Sequence, residues 1–292
     1  MVVESFIFLV LNIAAFVGNL LVCMALYRNP LLRTITNNFI FSLAITDLLT
    51  SATTMPIYSI SSLLNRWIVG ETASKIFFCS LVTSTETSTL TVMMLAINRY
   101  FRVVRPELYG NIYSKKSSAL MSIAAWIIGL LVAVSFLAAK LRYENIRSHP
   151  TVHQLIFSSR ISFIYVTTVS GFLIIIPCLV VAVCYVKIYK TIRFHNTATA
   201  PSSQNDNSPY GVQEARITRL LTVVVVGFYL CLFPRYITII LEGLKLLPLG
   251  VSRYIVFMRT FPLFTSSVIN PIFYGVMNPS FRSEFVKIVL CR

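Results

Sequence analysis

The sequence predicts an all-α membrane protein: a single seven-transmembrane helix bundle over residues 1–292, with a short amphipathic helix near its end. Three observations carry this. Hydrophobic residues make up 56% of the chain and charged residues 12%, against roughly 45–50% and about 25% in soluble domains. Seven stretches reach the ~20 mostly apolar residues that cross a bilayer. The 25 Lys and Arg are dense and sparse in alternate inter-span loops.

In order, Phe6–Leu26 has no charge and predicts a helix over 4–28. Thr34–Asn65 holds only Asp47 and predicts 35–63; Ile76–Asn98 holds only Glu86 and predicts 73–104. Ser117–Ala139 and Ile161–Val186 hold none, and predict 116–139 and 161–193. Leu220–Leu241, with Arg235 alone, predicts 212–242, and Ile255–Phe281, with Arg259 alone, predicts 251–277. Any one such stretch is also compatible with a buried core helix; seven in series, each bounded by charge, are not. The Ser, Asn, Thr and Pro crowded into His195–Gly211 read as a flexible linker. After Asn278-Pro279, aromatic and charged residues interleave over 279–290, as in an amphipathic helix on the inner leaflet.

Orientation follows from the basic residues. Fifteen of them, among them Arg28, Arg99, Lys187 and Arg282, fall in loops after odd-numbered spans or in the tail; nine fall at the other face. The positive-inside rule then puts the C-terminus in the cytosol and the N-terminus outside, in a plasma-membrane protein. The net charge of +15 is thus mainly topology, with attraction for anionic membrane lipids, and no nucleic acid is implied. The first stretch lacks a basic n-region and a cleavage site, and reads as a retained span.

The spans carry motifs. Gly18-Asn19-Leu20-Leu21-Val22 lies in the first and Leu43-Ala44-Ile45-Thr46-Asp47 in the second. Asn98-Arg99-Tyr100 ends the third, before Pro106. Trp126, Pro177 with Tyr185, and Phe228 with Cys231 and Pro234 mark the next three. Asn270-Pro271-Ile272-Phe273-Tyr274 ends the seventh. In this order and spacing they closely resemble the rhodopsin-like (class A) G protein-coupled receptors, over nearly the whole chain. The run Asn98–Pro106 resembles melatonin-receptor-like sequences more particularly.

The resemblance implies a receptor that binds an extracellular ligand and activates a cytosolic heterotrimeric G protein as helix six opens. It implies activation and coupling roles for Arg99, Tyr185, Glu214, Phe228, Pro234, Asn270, Pro271 and Tyr274. It implies a ligand wall of Leu81, Thr85, Glu86, Arg235, Tyr236, Ile239, Thr260 and Phe264. That wall is largely apolar and suits a small molecule, lipid or short peptide. Two of its members are ionisable and inside spans, where charges are functional candidates by default. Glu86 and Arg235 either pair with each other, or Arg235 meets an anionic ligand group. Asp47, at mid-bilayer, is costly unless partnered. Its family-like neighbours Asn19, Ser88, Ser267 and Asn270 offer oxygens suited to Na⁺, or to a water-filled cluster. No other cofactor is expected. Cys291, beyond the amphipathic helix, is expected to be S-palmitoylated.

Four departures from the family pattern stand in the sequence. Ser74 stands where the outer-loop disulfide has its first Cys, and Lys140–Arg160 contains no Cys, so no disulfide is expected. Leu232 replaces the Trp two residues before Pro234. Asn98 replaces the acidic residue before Arg99. Leu81 stands where amine receptors carry Asp, which disfavours a monoamine, and Phe264 stands at the opsin Lys position, which excludes a retinal Schiff base there. Asn98 and Leu232 keep open a receptor fold without signalling, such as a scavenger or dimer partner. A transporter is disfavoured by the absence of an internal repeat. An enzyme is disfavoured by the absence of a nucleophile, metal or P-loop constellation.

Overall fold

The computed structural model describes residues 2–64, 66–139, 142–145, 153–156, 160–198, 209–244, 246 and 253–290. The bundle begins with α1 (Val2–Arg28). The second span is α2 (Ile35–Leu49) and α3 (Met55–Leu64), joined through a wider π turn at Thr50–Thr54. Pro56 explains the interruption, because it has no N–H to return to the preceding turn. The third span is one unbroken helix, α4 (Glu71–Val104). Then come α5 (Pro106–Ile112) and α6 (Lys115–Ala138), and a short hairpin of β1 (Arg142–Asn145) and β2 (His153–Ile156). The chain continues with α7 (Arg160–Ala198), α8 (Pro209–Gly243), α9 (Arg253–Met277) and α10 (Pro279–Val289).

The helix ends follow local chemistry. The Thr34 hydroxyl accepts from the Asn37 amide and starts α2. Ser114 and Ser117 cap each other reciprocally at the start of α6. Asn278 accepts from the Ser280 amide, with Pro279 at the first helical position of α10. Pro106 starts α5 in the same way. That helix was not expected from the sequence, because its seven residues are too few to show a period. The linker is also shorter than its composition predicts, since α7 runs on to Ala198 and α8 already starts at Pro209.

The described spans enclose α4, which touches α2, α6, α7 and α8, while α9 closes the ring against α1 and α8. The predicted seven apolar spans are not all met: α4 and α9 fall short, and the central placement explains α4. Only five described helices are long and apolar enough to cross a membrane on those criteria alone: Val3–Arg28, Ile35–Leu64, Lys115–Ala138, Ile164–Phe194 and Ile217–Leu241. In α4, Thr83, Ser84, Glu86, Thr87, Ser88, Thr89 and Thr91 are all buried. A central helix meets protein on most sides and can bury hydroxyls, several of which bond back to the preceding turn, as Thr91 does to the Thr87 carbonyl at 2.7 Å. The outward faces are apolar instead: Leu9, Ile13, Leu130, Leu131, Phe172 and Leu230 are exposed.

The helices approach most closely at glycine. A Cβ on Gly129 of α6 would lie 2.6 Å from Thr87 Oγ1 and 2.9 Å from the Thr83 carbonyl oxygen of α4. The carbonyl is backbone and cannot swing aside. Gly129→Ala is therefore expected to destabilise the bundle by about 1–3 kcal/mol, read as a lower unfolding midpoint in a thermal melt; an unchanged midpoint would refute the contact.

At the site of the missing disulfide, Ser74 is fully buried. It accepts from the Trp67 indole at 2.8 Å and donates to the Gly70 carbonyl at 2.9 Å. A hydrogen bond thus ties the loop between α3 and α4 to the start of α4. The five described cysteines, Cys23, Cys79, Cys178, Cys184 and Cys231, are free thiols. Cys291 lies outside the described residues.

Helix α10 is tied to the start of the chain. Phe281 is fully buried against Tyr274, with ring centroids 5.7 Å apart. Glu284 accepts from Lys287 at 2.7 Å and from the Asn29 side chain at 3.1 Å. The Lys287 hydrogen bond, and then its charge and the Asn29 bond, hold the Glu284 carboxyl below its ordinary value. A depressed carboxyl stabilises docking above its unfolded pKa and loses that contribution as pH falls through the folded one. Glu284→Gln at neutral pH, and acidification of the unsubstituted chain below the usual carboxylate range, should both lower the amide protection factors of α10, taken relative to the intrinsic exchange rate at each pH. Equal protection in all cases would remove Glu284 from the docking.

Candidate functional site

The seventh span delivers two donors to the second. Asp47 accepts from the Ser267 hydroxyl at 2.7 Å on one oxygen and from the Asn270 amide at 2.9 Å on the other. The carboxylate is buried, and hydrogen bonds to a charged group contribute about 1.5–3 kcal/mol each, which offsets its desolvation. Asn19 holds the third side: its amide donates to the Ala15 and Ser267 carbonyls, each at 2.9 Å. Spans two and seven therefore meet at the Asp47 carboxylate, and span one is tied to span seven beside it through the Asn19 amide and the Ser267 carbonyl. Close packing reinforces this, because a Cβ on Gly18 would lie 2.7 Å from Pro271.

Ser88 faces the same level from α4, but it shares a hydrogen bond with the Thr46 hydroxyl, at 2.8 Å. Of the five residues read as cation ligands, Asp47, Ser88, Ser267 and Asn270 line one cavity, together with Ser84 and Ser266. Asn19 is not in that lining; its amide side is spent on carbonyls, and its Oδ1 is buried without a hydrogen-bond partner among the described residues. The cavity wall thus offers one carboxylate and several hydroxyls, an oxygen-rich set that fits a small hard cation.

The same cavity continues upward past Phe228 and Leu232 to Thr85 and Leu81. Two of the eight residues read as ligand wall, Leu81 and Thr85, belong to it. The others lie elsewhere. Phe264 is fully buried in an aromatic cluster, 5.5 Å from Phe8 and 5.6 Å from Tyr58 between ring centroids. Tyr236 donates to the Thr167 carbonyl at 3.0 Å and bridges α8 to α7. Gly171 makes room for it: a Cβ there would sit against the Tyr236 hydroxyl. Thr260 is buried and Ile239 half-buried. Glu86 is 5% exposed, with one carboxylate oxygen lacking a hydrogen-bond partner among the described residues. Arg235 is near enough to act on it by charge, though no hydrogen bond or ion pair joins the two.

At the opposite end, Arg99 is buried and donates to the Thr36 hydroxyl of α2 at 2.9 Å. That hydroxyl donates in turn to the Asn98 side chain at 3.0 Å, and the Asn98 amide donates to the Tyr109 hydroxyl of α5 at 3.3 Å. Sequence reasoning missed Thr36 and Tyr109, which belong to no quoted motif. Only a Thr in the first turn of the second span hinted at the former. Tyr185 is half-buried on α7, with the Arg99 charge nearby. Phe228 packs edge-on against Tyr229 at 5.5 Å. Tyr274 is almost wholly buried, its hydroxyl without a hydrogen-bond partner among the described residues. Pro177, Pro234 and Pro271 all lie inside continuous helices. Glu214 falls on α8, with its side chain outside the described part.

Comparison with known proteins agrees with this architecture. The family described as "7 transmembrane receptor (rhodopsin family)" matches residues 18–274. Melanopsin-A of Danio rerio is 29% identical over 98% of the chain and 49% of its own length. Melatonin receptor type 1A of Mus musculus is 26% identical over 98% of the chain and 80% of its own length. The histamine H2 receptor of Homo sapiens is 27% identical over 97% of the chain and 78% of its own length. The chain thus spans about half the length of the melanopsin it matches. These relatives are receptors rather than enzymes, and near-equal identity to receptors of different names singles out no subfamily. The chain therefore belongs to the rhodopsin-like family of seven-transmembrane receptors, a family of multi-pass membrane proteins.

Proposed function

We propose that the protein is a ligand-operated receptor of the plasma membrane that activates a heterotrimeric G protein, with its N-terminus outside and the Arg99 end in the cytosol. The observation that carries the reading is the Asp47 node. It joins spans two and seven through Ser267 and Asn270, at the floor of a cavity that reaches Leu81 near the other end. A ligand bound between the helices changes the packing at the top of this cavity, and spans six and seven, each holding proline, carry the change to Tyr274, Tyr185 and Arg99. Leu81 offers no carboxylate to an amine and Phe264 no amine to an aldehyde, so the ligand is a small, partly apolar molecule, lipid or short peptide.

On this reading Asp47, Ser88, Ser267 and Asn270 would hold Na⁺, which would supply a fixed charge stabilising one arrangement of the helices. Helix α10 would lie on the inner leaflet, its exposed Val286 and Val289 toward lipid, with Cys291 acylated beside it. The direct test is a ligand library screened with a promiscuous G protein reporter, each hit repeated on Arg99→Ala. Ligand-dependent exchange that is lost in Arg99→Ala supports the reading. Hits that stabilise the protein without stimulating any G protein would favour a scavenger or dimer partner. The neutral Asn98 beside Arg99 is the observation that favours that second reading.

A further inference from the structure

We infer that the ligand is an organic monoanion, whose carboxylate is held between Arg235 of α8 and Arg259 of α9. The inference rests on the receptor reading and names a ligand chemistry for it. The Asp47 cavity holds about 20 Å³, room for a water, so an organic ligand sits outward of it. Its outermost lining residues are Leu81 on α4, Leu232 on α8 and Leu263 on α9. Arg235 lies three residues beyond Leu232, on the face of α8 that carries Leu232 and Phe228. Arg259 lies four residues beyond Leu263, on the face of α9 that carries Leu263 and Ser266. At the helical rise both positions stand roughly 4–6 Å outward of the leucines, at one level on two helices that pack together. Arg259 is buried and Arg235 half-buried. Outward of Asp47, the apolar stretches thus hold two cations and one carboxylate, Glu86, a field that favours a monoanion. A guanidinium has five N–H donors in a fork, so one that bonds to protein keeps others for a carboxylate. Thr260 adds a second, independent observation. It follows Arg259, is 1% exposed, and shares the face of Leu263 and Ser267. Its hydroxyl has no hydrogen-bond partner among the described residues. A buried hydroxyl without a partner is costly, and a carboxylate between the two arginines would accept from it. The leucines beneath suit an apolar body beside the head group.

The probe is phenylacetate, with phenylacetamide as its uncharged counterpart and sodium chloride as the bare-anion control. Thermal unfolding of the full chain in nanodiscs of zwitterionic lipid is followed against probe concentration. Phenylacetate should stabilise saturably, and phenylacetamide about tenfold more weakly or not at all. Stabilisation by phenylacetate should weaken about 10–100-fold in Arg259→Gln and several-fold in Thr260→Val. Glu86→Gln should bind phenylacetate at least as tightly as the unsubstituted chain, because it removes the competing carboxylate. Glu86→Gln/Arg235→Gln should then lose about 10–100-fold. If Arg259→Gln does not fold, Thr260→Val and this double variant decide the matter. Equal stabilisation by acid and amide, or binding that ignores both Thr260→Val and the loss of either arginine, would overturn the inference. So would stabilisation by chloride with none by phenylacetate, which marks a bare-anion site only. GTP exchange is read on the same samples. Phenylacetate that binds through Arg259 without exchange on any G protein supports the inference and removes the signalling reading. Exchange driven by an uncharged or cationic ligand, at undiminished potency in Arg259→Gln, removes the inference and leaves the receptor reading standing.

Discussion

Thr36→Ala should raise ligand-free nucleotide exchange roughly 5–30-fold. Arg99 is turned toward the second span, where it donates to the Thr36 hydroxyl at 2.9 Å. A hydrogen bond from a charged donor, net of relaxation, stabilises the arrangement that contains it by about 1–2 kcal/mol. Losing that from the resting arrangement alone shifts the resting-to-active ratio by the factor stated. Asn98→Asp should act in the opposite direction. A carboxylate there would receive both the Thr36 and the Tyr109 hydroxyls, which now flank Asn98, and would place a negative charge next to the guanidinium. Glu214, twenty residues before Pro234 in sequence, is the second restraint that the family resemblance implies; Glu214→Gln tests it in the same assay. The measurement is basal GTP exchange on purified protein in nanodiscs at matched receptor concentration. If Thr36→Ala and Asn98→Asp leave basal exchange unchanged, the network restrains nothing and Arg99 is a G protein contact only.

What the sequence discloses here depends on how far an interaction reaches along the chain. Five spans are legible because a bilayer demands a length of apolar residues that no short motif can imitate, whereas α4 and α9 are helices of lower apolarity among the described residues. The Asp47 node is legible because an isolated carboxylate in such a stretch must find donors, and Ser267 and Asn270 sit beside a recognisable Pro271-Ile272-Phe273-Tyr274. Helix α5 is not, because its stability comes from Tyr109 stacking on Tyr113 and lying under Arg102 rather than from a period. Glu284 is missed for a related reason: its acceptor role needs Asn29, 255 residues away. The role of α4 as the buried central helix inverts the usual rule, since its polar run Thr83–Thr89 is a sign of position rather than of solvent. Which of eight wall residues share the Asp47 cavity was not legible either. That depends on rotations of α8 and α9 that place Leu232 against the cavity, turn Tyr236 toward Thr167 and bury Phe264 among aromatics.

Arg235→Ala should be the most damaging single change in the membrane-embedded part of the protein, and Glu86→Gln in the same chain should reverse most of the damage. Glu86 is 5% exposed, and one of its oxygens has no hydrogen-bond partner. The charge of Arg235 acts on it across the gap between α4 and α8. Removing the cation takes the nearby counter-charge from a buried carboxyl group, which must then take up a proton or stay ionised, at a cost of about 1–3 kcal/mol and more if it stays ionised. The unfolding midpoint and expression yield should both fall. Glu86→Gln alone removes the charge that needed compensation, so it should fold at least as well as the unsubstituted chain. The double variant should recover the lost stability, giving a coupling of about 1–3 kcal/mol in a double-mutant cycle. The double variant also separates the two roles of Arg235. If the guanidinium serves only Glu86, a folded Glu86→Gln/Arg235→Ala protein responds to an identified ligand with normal potency. If it also meets an anionic ligand group, that protein folds but loses at least tenfold in potency, because about 1.4 kcal/mol or more of ligand binding is gone. An Arg235→Ala protein as stable and as potent as the unsubstituted chain would dismiss both roles.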